Sequence, residues 1–269
     1  MLEAVWILVC GAVLPTMLIL DSYVFKTLVV KPISHREALK WVSIVRAMNR
    51  LIITGSGYTT LILWMKRGGA ELGTTVNTVI LWEGLSIGPW ILMATYFGGR
   101  LAPRIPLHVL LGLALVLVFF LFVKKRQISA FACSLLEANK QLGLRPVFVV
   151  PIILVEILLS LVYYYSIIRF VGCHLSPYNI LRVASLSVTT GYLSPIPSGL
   201  GIREGVMAFL LIEHGFTLEK AILVGLVDRV VATAFFLFAG MCAGSKIMIE
   251  TIRNSREKLG VVSRVLQRR

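Results

Sequence analysis

Charged residues are scarce in this sequence. Asp, Glu, Lys and Arg make up 15% of its 269 residues, whereas hydrophobic residues make up 57% and the mean hydropathy is +0.86. Soluble domains contain about 25% charged and about 45–50% apolar residues. So large an apolar fraction excludes both a disordered chain and an ordinary soluble domain, because the excess apolar surface needs lipid as its solvent. The composition predicts a polytopic integral membrane protein.

Residues that commonly carry catalysis or bind metals are also few. The four cysteines stand singly, with no C-x-x-C motif, and the four histidines are scattered along the chain. The sequence contains no H-E-x-x-H, no P-loop and no paired Asp-rich motif. These absences argue against a zinc site, a disulfide framework and a nucleotide-hydrolysing enzyme. We expect no cofactor, no metal and no catalytic residue.

Positive charge, by contrast, is in excess. The chain has 27 Lys and Arg against 13 Asp and Glu, which gives a formal net charge of +14. In a chain this apolar, basic residues are explained by membrane orientation and by anionic lipid before nucleic acid is considered. We expect membrane lipids, and no nucleic acid, as partners.

Five stretches are long and apolar enough to cross a bilayer, which takes about 20 residues. They are residues 4–20, 75–97, 106–123, 147–170 and 219–248. Two further stretches, 51–72 and 183–213, consist of short apolar arms separated by Gly, Pro and charged residues. Irregular backbone at membrane depth is tolerated only where protein or a polar cavity surrounds it. The sequence predicts an all-α protein with about five full spans and two re-entrant, broken helical hairpins.

The distribution of basic residues predicts the orientation. With the N-terminus outside, eighteen Lys and Arg, including Arg46 and Arg50, fall on cytoplasmic segments and four on outer segments. The opposite orientation reverses this bias, although cytoplasmic loops carry the excess of Lys and Arg in membrane proteins. We therefore expect a multi-pass protein of the cell (inner) membrane with its N-terminus outside and its C-terminus in the cytoplasm.

The order of these segments repeats along a single transmembrane domain. A span, a connector, a broken hairpin and a second span occur in residues 1–98 and again in residues 147–250. The linking span 106–123 turns the second copy upside down, and the basic segment 251–269 forms a cytoplasmic tail. Inverted repeats with broken helices are a recurrent design of transporters, with the substrate site where the breaks meet. The alternative interpretation is that Gly and Pro merely kink two tightly packed helices.

Short sequence echoes mark the two predicted breaks. Ser56-Gly57-Tyr58 in the first half is similar to Thr190-Gly191-Tyr192 in the second. Each is followed by a Gly-rich turn that carries Arg and Glu, and Arg67 is the arginine of the first turn. Gly57 and Gly191 are therefore candidate helix-break positions.

The densest motif is the segment 194–205, with the sequence SPIPSGLGIREG. Pro195 and Pro197 stop the incoming helix, because proline removes a backbone donor. Gly199 and Gly201 let the backbone approach a partner closely. Ser198 or Gly199 can then cap a new helix, whose unpaired first N–H groups form an anion site.

Ionisable residues inside apolar segments form the second signal, because each costs a few kcal/mol when exposed to lipid. Arg203, one turn into the new helix, offers a planar fork suited to phosphate, and Glu204 can pair with a basic side chain or a ligand amine. Pairing between helices explains a single charge of this kind, as we expect for Glu156. Six ionisable residues in apolar segments together favour a polar cavity, namely Glu83, Glu156, Arg203, Glu204, Asp228 and Arg229. The candidate substrate-binding residues are Arg67, Glu83, Ser198, Gly199, Gly201, Arg203, Glu204, Asp228 and Arg229.

The stretch from Pro195 to Gly205, P-I-P-S-G-L-G-I-R-E-G, resembles the signature of the lysylphosphatidylglycerol synthase transmembrane-region family. That family includes the flippase domain of the bacterial multiple peptide resistance factor. The resemblance covers nearly the whole chain, with Asn49 and the basic, Gly-rich stretch 57–69 at the place of the family's first motif. Ser198 departs from the family's usual second glycine, and a proline is common where Thr54-Gly55 stands.

The resemblance implies a domain that moves lipids such as aminoacyl-phosphatidylglycerol between leaflets. Related members accompany glycolipid or polyprenyl-phosphate pathways. No soluble aminoacyl-transferase domain follows within this sequence, so we expect the translocating part rather than the synthase.

Three functions are compatible with these observations. The leading hypothesis is a flippase or scramblase for a phospholipid, an aminoacylated lipid or a polyprenyl-phosphate-linked glycolipid with an anionic or phosphate-bearing headgroup. An integral-membrane lipid-modifying enzyme also uses Arg and Glu at membrane depth, but it usually needs an acidic metal-binding cluster or a His. The third is a non-transporting membrane partner of a glycosyltransferase. The candidate protein partner is a separate lipid-synthesising enzyme or glycosyltransferase.

Overall fold

The computed structural model describes residues 2–30, 32–51, 56–98, 143–194, 196 and 199–266. Within these residues the chain forms eight α-helices and no strand. The helices are α1 (Leu2–Leu28), α2 (His35–Leu51), α3 (Ser56–Arg67), α4 (Leu72–Gly98), α5 (Arg145–Phe170), α6 (Pro177–Leu193), α7 (Ile202–Glu213) and α8 (Leu218–Leu266). The predicted linking span 106–123 lies outside the described residues, as do Pro195, Pro197 and Ser198.

Four helices contain a segment that is long and apolar enough to cross a membrane. These segments are Val5–Leu28, Leu72–Gly98, Arg145–Phe170 and Leu218–Ser245. They coincide with four of the five predicted spans, and the all-helical architecture is that of the predicted helical membrane protein. The total number of spans and the re-entrant arrangement stay predictions.

Helix lengths recur in the two halves of the described chain. Helices α1 to α4 have 27, 17, 12 and 27 residues. Helices α5 to α7 have 26, 17 and 12 residues, and the apolar segment of α8 has 28. Each half is therefore a long helix, two shorter helices joined by a break, and a second long apolar helix.

The packing of the helices also relates the two halves of the described chain. Helix α1 packs on α5, helix α4 packs on α6, and helix α8 packs on α2. Exchanging α1 with α5, α2 with α6, α3 with α7 and α4 with α8 leaves the pair α1–α5 unchanged and interchanges the pairs α4–α6 and α8–α2. The last helix of each half thus holds the broken helix pair of the other half.

Helices α1 and α5 run in opposite directions. The thiol of Cys10 lies 3.9 Å from the carbonyl oxygen of Tyr163, and Arg145 donates a hydrogen bond of 3.4 Å to the carbonyl of Val29. Residue numbers rise along α1 as they fall along α5, so the two halves meet with their first helices antiparallel.

The break in the second half lies where the sequence predicts it. Helix α6 ends at Leu193 and α7 begins at Ile202, so no continuous helix joins Ser185 to Glu213. Helix α6 begins at Pro177 after Ser176, whose hydroxyl accepts the N–H of Asn179. A capped start with proline in the first turn is a strong signal for a helix N-terminus.

The first broken pair begins earlier than the predicted 51–72 hairpin. Its first arm is α2, His35–Leu51, which packs against α3, Ser56–Arg67. Basic residues alternate with apolar ones along α2, so a search for apolar runs does not find it as a membrane-depth arm. Gly57 and Gly191 were expected at the breaks themselves, but they lie in the first turn of α3 and the last turn of α6.

Candidate functional site

A cavity of about 240 Å³ lies inside the helical body, and each of the eight described helices contributes to its wall. The two short helices after the breaks contribute Tyr58 from α3 and Arg203 from α7. Its ionisable and hydrogen-bonding lining consists of Asp21, Arg46, Asn49, Arg50, Tyr58, Ser86, Glu156, Ser160, Tyr163, Tyr164, Tyr192, Arg203 and Asp228. A cavity with this polar lining, in a body whose outer faces are apolar, fits a polar group that enters from lipid or water.

One ion cluster belongs to the first half. The guanidinium of Arg46 on α2 holds Asp21 on α1 with two bonds, of 2.8 Å to Oδ2 and 3.2 Å to Oδ1. It also holds Oε2 of Glu83 on α4 at 3.2 Å. The indole of Trp82 donates to Asp21 at 2.6 Å and lies under the guanidinium, 4.9 Å from its ring centroid. Glu83, predicted to bind substrate, is therefore paired within the protein, where it shares the single guanidinium of Arg46 with Asp21.

A second ion cluster belongs to the second half. Arg203 on α7 donates to Oδ2 of Asp228 on α8 at 2.7 Å and to the hydroxyl of Tyr164 on α5 at 2.5 Å. Tyr163 donates to the backbone carbonyl of Asp228 at 3.3 Å. Asp228 is only 2% exposed, so its charge depends on Arg203 for compensation. The structure brings together Arg203 and Asp228, two of the predicted site residues, in the cavity wall.

A carboxylate of the protein itself accepts a backbone hydrogen bond at the start of α7. Oε2 of Glu204 accepts the N–H of Gly201 at 2.8 Å, while Oε1 of the same carboxylate accepts Nη1 of Arg229 at 3.0 Å. The anion site predicted at this helix start therefore already holds a carboxylate, because an acidic residue in the first turn pairs with the positive end of the helix. Glu204 and Arg229 are partners of each other beside the cavity and not among its lining residues.

Glycines allow the close approaches that close each broken pair. Gly199 has φ +62°, and a Cβ on it would lie 2.6 Å from Cα of Gly191. A Cβ on Gly191 would lie 3.1 Å from Cβ of Arg203, and one on Gly57 would lie 2.4 Å from the carbonyl oxygen of Val45. The two echo glycines thus have a packing role beside the breaks, where any side chain would push the helices apart.

The remaining predicted residues lie away from the cavity or outside the described chain. Gly201, with φ +83°, forms the turn into α7. Arg67 is the last residue of α3, about 13 Å along the helix axis from the cavity-lining Tyr58. Ser198 falls outside the residues that the structure describes.

Four polar residues of the cavity wall were not placed at a site by the sequence reasoning. Asp21, Arg46, Arg50 and Tyr58 all line the cavity. Arg46 and Arg50 were counted among the eighteen cytoplasmic basic residues, and the structure places both in the wall of the cavity. The available signal was the i, i+4 spacing of these two arginines, which places them on one face of α2, and the isolated Asp21 in the apolar run of α1.

Two of the lining residues have an unsatisfied charged group. Nη1 of Arg50 and Oε1 of Glu156 are buried atoms without a hydrogen-bond partner in the described part of the protein. Nε of Arg203 and Oδ1 of Asp228 share this property, although both residues are paired through their other atoms. Such atoms are rare in folded proteins and are commonly satisfied by water or a ligand.

Comparisons of the chain with protein-family models, with curated proteins and with solved structures found no match.

Proposed function

We propose that this chain is a lipid translocator, a flippase or scramblase, that carries a polar lipid headgroup through the central cavity while the acyl chains stay in the bilayer. The observation that carries the proposal is the charged cavity lined by all eight described helices of a largely apolar body. The family resemblance of the segment from Pro195 to Gly205 supports the same function.

The energetics of the cavity support this function. Charged groups in apolar segments are costly, and in membrane proteins they mark substrate or ion pathways. Here Asp21, Arg46, Glu156, Arg203 and Asp228 come together from five different helices and from both halves of the chain. Structural pairing alone needs no cavity, whereas a headgroup pathway needs both the charges and the space beside them.

The size of the cavity and the outer surface of the protein fit a headgroup rather than a whole lipid. The cavity measures about 240 Å³, less than the roughly 300–1,000 Å³ of pockets that enclose drug-sized ligands. Large apolar side chains such as Leu8, Leu158 and Phe238 are more than half exposed on the outer faces. Lipid tails can therefore remain against the outer surface while the headgroup enters.

The recurrence of helix lengths and packed pairs supports an inverted repeat in the membrane. Helices α1 and α5 are antiparallel and stand at the start of the two halves. In this proposal the N-terminus lies outside, the C-terminus lies in the cytoplasm, and the pairs α2–α3 and α6–α7 are the re-entrant hairpins. Sites at the interface of inverted repeats are accessible from alternate sides when one half moves against the other.

Translocation by the purified full chain tests the proposal. Vesicles containing the protein and a fluorescent phosphatidylglycerol are treated with membrane-impermeant dithionite, which bleaches only the outer leaflet. We expect bleaching well beyond the half seen in protein-free vesicles, and intact lipid by mass spectrometry. Bleaching that stops at the protein-free level contradicts a translocator, and a chemically altered lipid indicates a membrane enzyme instead.

A cavity-filling variant makes the test specific to this site. Ser86 lines the cavity, and its hydroxyl is a buried atom without a partner among the described residues. We expect Ser86→Trp to reduce translocation at least tenfold, because the indole occupies the headgroup space. The matched control is Ser245→Trp on α8, an exposed position, which should translocate at the native rate.

A further inference from the structure

Arg50 differs from the other two arginines of the cavity in having no acidic partner. Arg46 is held by Asp21 and Glu83, and Arg203 is held by Asp228. No carboxylate pairs with Arg50 in the part of the chain that the structure describes, and its buried Nη1 donates to nothing there. Its guanidinium lies over the ring of Phe236, 5.5 Å from the centroid, a contact that orients the group without cancelling its charge.

The charged groups near Arg50 favour the binding of an anion beside it. Arg203 and Asp228 line the same cavity as Arg50. Two guanidinium groups from opposite halves of the chain therefore face one cavity, and Asp228 is bonded to Arg203. A buried cation without a counter-ion is unfavourable, so this arrangement is stabilised when an anion enters.

Donor atoms for such an anion are already in place. Nη1 of Arg50 and Nε of Arg203 are both buried, lack partners among the described residues, and belong to residues that line the same cavity. The planar guanidinium fork matches phosphate oxygens, and such charge-assisted bonds are stronger than neutral ones. The guanidinium of Arg50, to which no carboxylate of the described residues is bonded, matches the single negative charge of a phosphodiester.

We propose that Arg50, assisted by Arg203, binds the phosphodiester of the translocated lipid in the central cavity. The inference rests on the proposed function and narrows it, because the substrate must then carry a phosphate close to its glycerol or other lipid anchor. A glycolipid without phosphate leaves Arg50 uncompensated and is a poor substrate. The sequence predicted the anion site at the start of α7, which Glu204 occupies. In the present proposal the anion site lies in the cavity wall formed by α2 and α7.

Equilibrium binding to the purified full chain in detergent tests this assignment. The probes are dihexanoyl-phosphatidylglycerol, uncharged dihexanoylglycerol and inorganic phosphate, titrated calorimetrically. We expect the phosphatidylglycerol to bind at least tenfold more tightly than dihexanoylglycerol, and Arg50→Gln to weaken phosphatidylglycerol binding at least tenfold. Arg50→Lys should recover part of the loss, since an ammonium keeps the charge but not the fork.

The matched control is Arg36→Gln, which removes the same charge from an exposed position of the same helix and should leave the affinity unchanged. Native affinity in Arg50→Gln overturns the proposal. If inorganic phosphate binds as tightly as the phosphatidylglycerol and through Arg50, the lipid assignment is overturned in favour of free phosphate.

A measurement on the native protein covers the case in which Arg50→Gln does not fold. Phenylglyoxal modifies accessible arginines, and peptide mass spectrometry reports modification at Arg50. We expect dihexanoyl-phosphatidylglycerol, but not dihexanoylglycerol, to protect Arg50. Equal modification with either lipid overturns the proposal.

Binding and translocation are separable in these experiments. Arg50-dependent binding without translocation in vesicles contradicts the proposed function and leaves the phosphate site standing. If the native chain translocates lipid and Arg50→Gln binds and translocates it equally well, the phosphate site is contradicted and the proposed function stands.

Discussion

The charged side chains of the cavity differ in how the protein compensates them. Arg46 and Arg203 bind acidic partners on neighbouring helices at 2.7–3.2 Å. Arg50 and Glu156 have buried atoms without partners among the described residues. Breaking a buried pair leaves an uncompensated charge and is strongly destabilising. Substitutions in the first group should therefore affect stability, and substitutions in the second should affect ligand binding or nothing.

Arg203 is the residue at which structural and ligand roles meet. We expect Arg203→Ala to destabilise the protein by about 3–5 kcal/mol, because Asp228 loses its counter-ion. Adding Asp228→Asn should restore most of the thermal midpoint, measured by the monodisperse fraction after heating in detergent. If Arg203 also touches the lipid phosphate, translocation stays absent in the double variant and returns only in part with Arg203→Lys. Restored stability together with restored translocation would mean that Arg203 is purely structural.

Glu156 and Glu83 allow a comparison between an acidic residue without an ion-pair partner and one with such a partner. Glu156→Gln replaces a carboxyl whose Oε1 has no partner in the described structure and which lines the same cavity as Asp21. We expect an unchanged or higher thermal midpoint, since the amide keeps the shape and removes a buried acid. Glu83→Gln should lower the midpoint, because Arg46 loses part of its compensation. Equal losses in the two variants would contradict this assignment.

Glycine positions set the distance between helices at the level of the elements. Gly57→Ala places a methyl group 2.4 Å from the carbonyl oxygen of Val45. Overpacking of this kind costs typically about 1–3 kcal/mol, and rigid backbone as the obstacle favours the upper end. We expect a lower thermal midpoint and less folded protein. The control is Gly205→Ala in α7, where a Cβ meets nothing within 4 Å and helix propensity improves by about 1 kcal/mol. A native midpoint in Gly57→Ala would show that α2 and α3 separate easily.

The orientation of the whole molecule stays a prediction with a direct test. The α5–α6 connection and the α7–α8 connection belong to the same end of the second half, where Arg182 and Glu213 pair at 3.1 Å. On a background without cysteine, we expect an impermeant thiol reagent to label His174→Cys from outside intact cells. Lys125→Cys should react only after the membrane is opened. Labelling of Lys125→Cys in intact cells contradicts both the orientation and the inverted repeat.

The sequence by itself determined the properties that depend on local chemistry. Long apolar runs predict the four helical segments of the described chain that are long and apolar enough to span a membrane. The Pro-x-Pro-Ser-Gly segment predicts the end of α6 and the new start at Ile202, because two prolines within three residues remove two backbone donors and glycine tolerates the positive φ seen at Gly199 and Gly201. These features need no knowledge of what packs against them.

Only the tertiary structure decided which charges are compensated. Arg46 reaches Asp21 and Glu83, which lie 25 and 37 residues away along the chain, and Glu204 turns back to cap its own helix instead of meeting a ligand. A basic residue on an amphipathic helix such as α2 has the same local pattern whether it faces cytoplasm or a cavity. The packing of α8 on α2 places the guanidinium of Arg50 over Phe236. This long-range contact is invisible in any local window of the sequence, and beside it the buried Nη1 of Arg50 has no partner among the described residues.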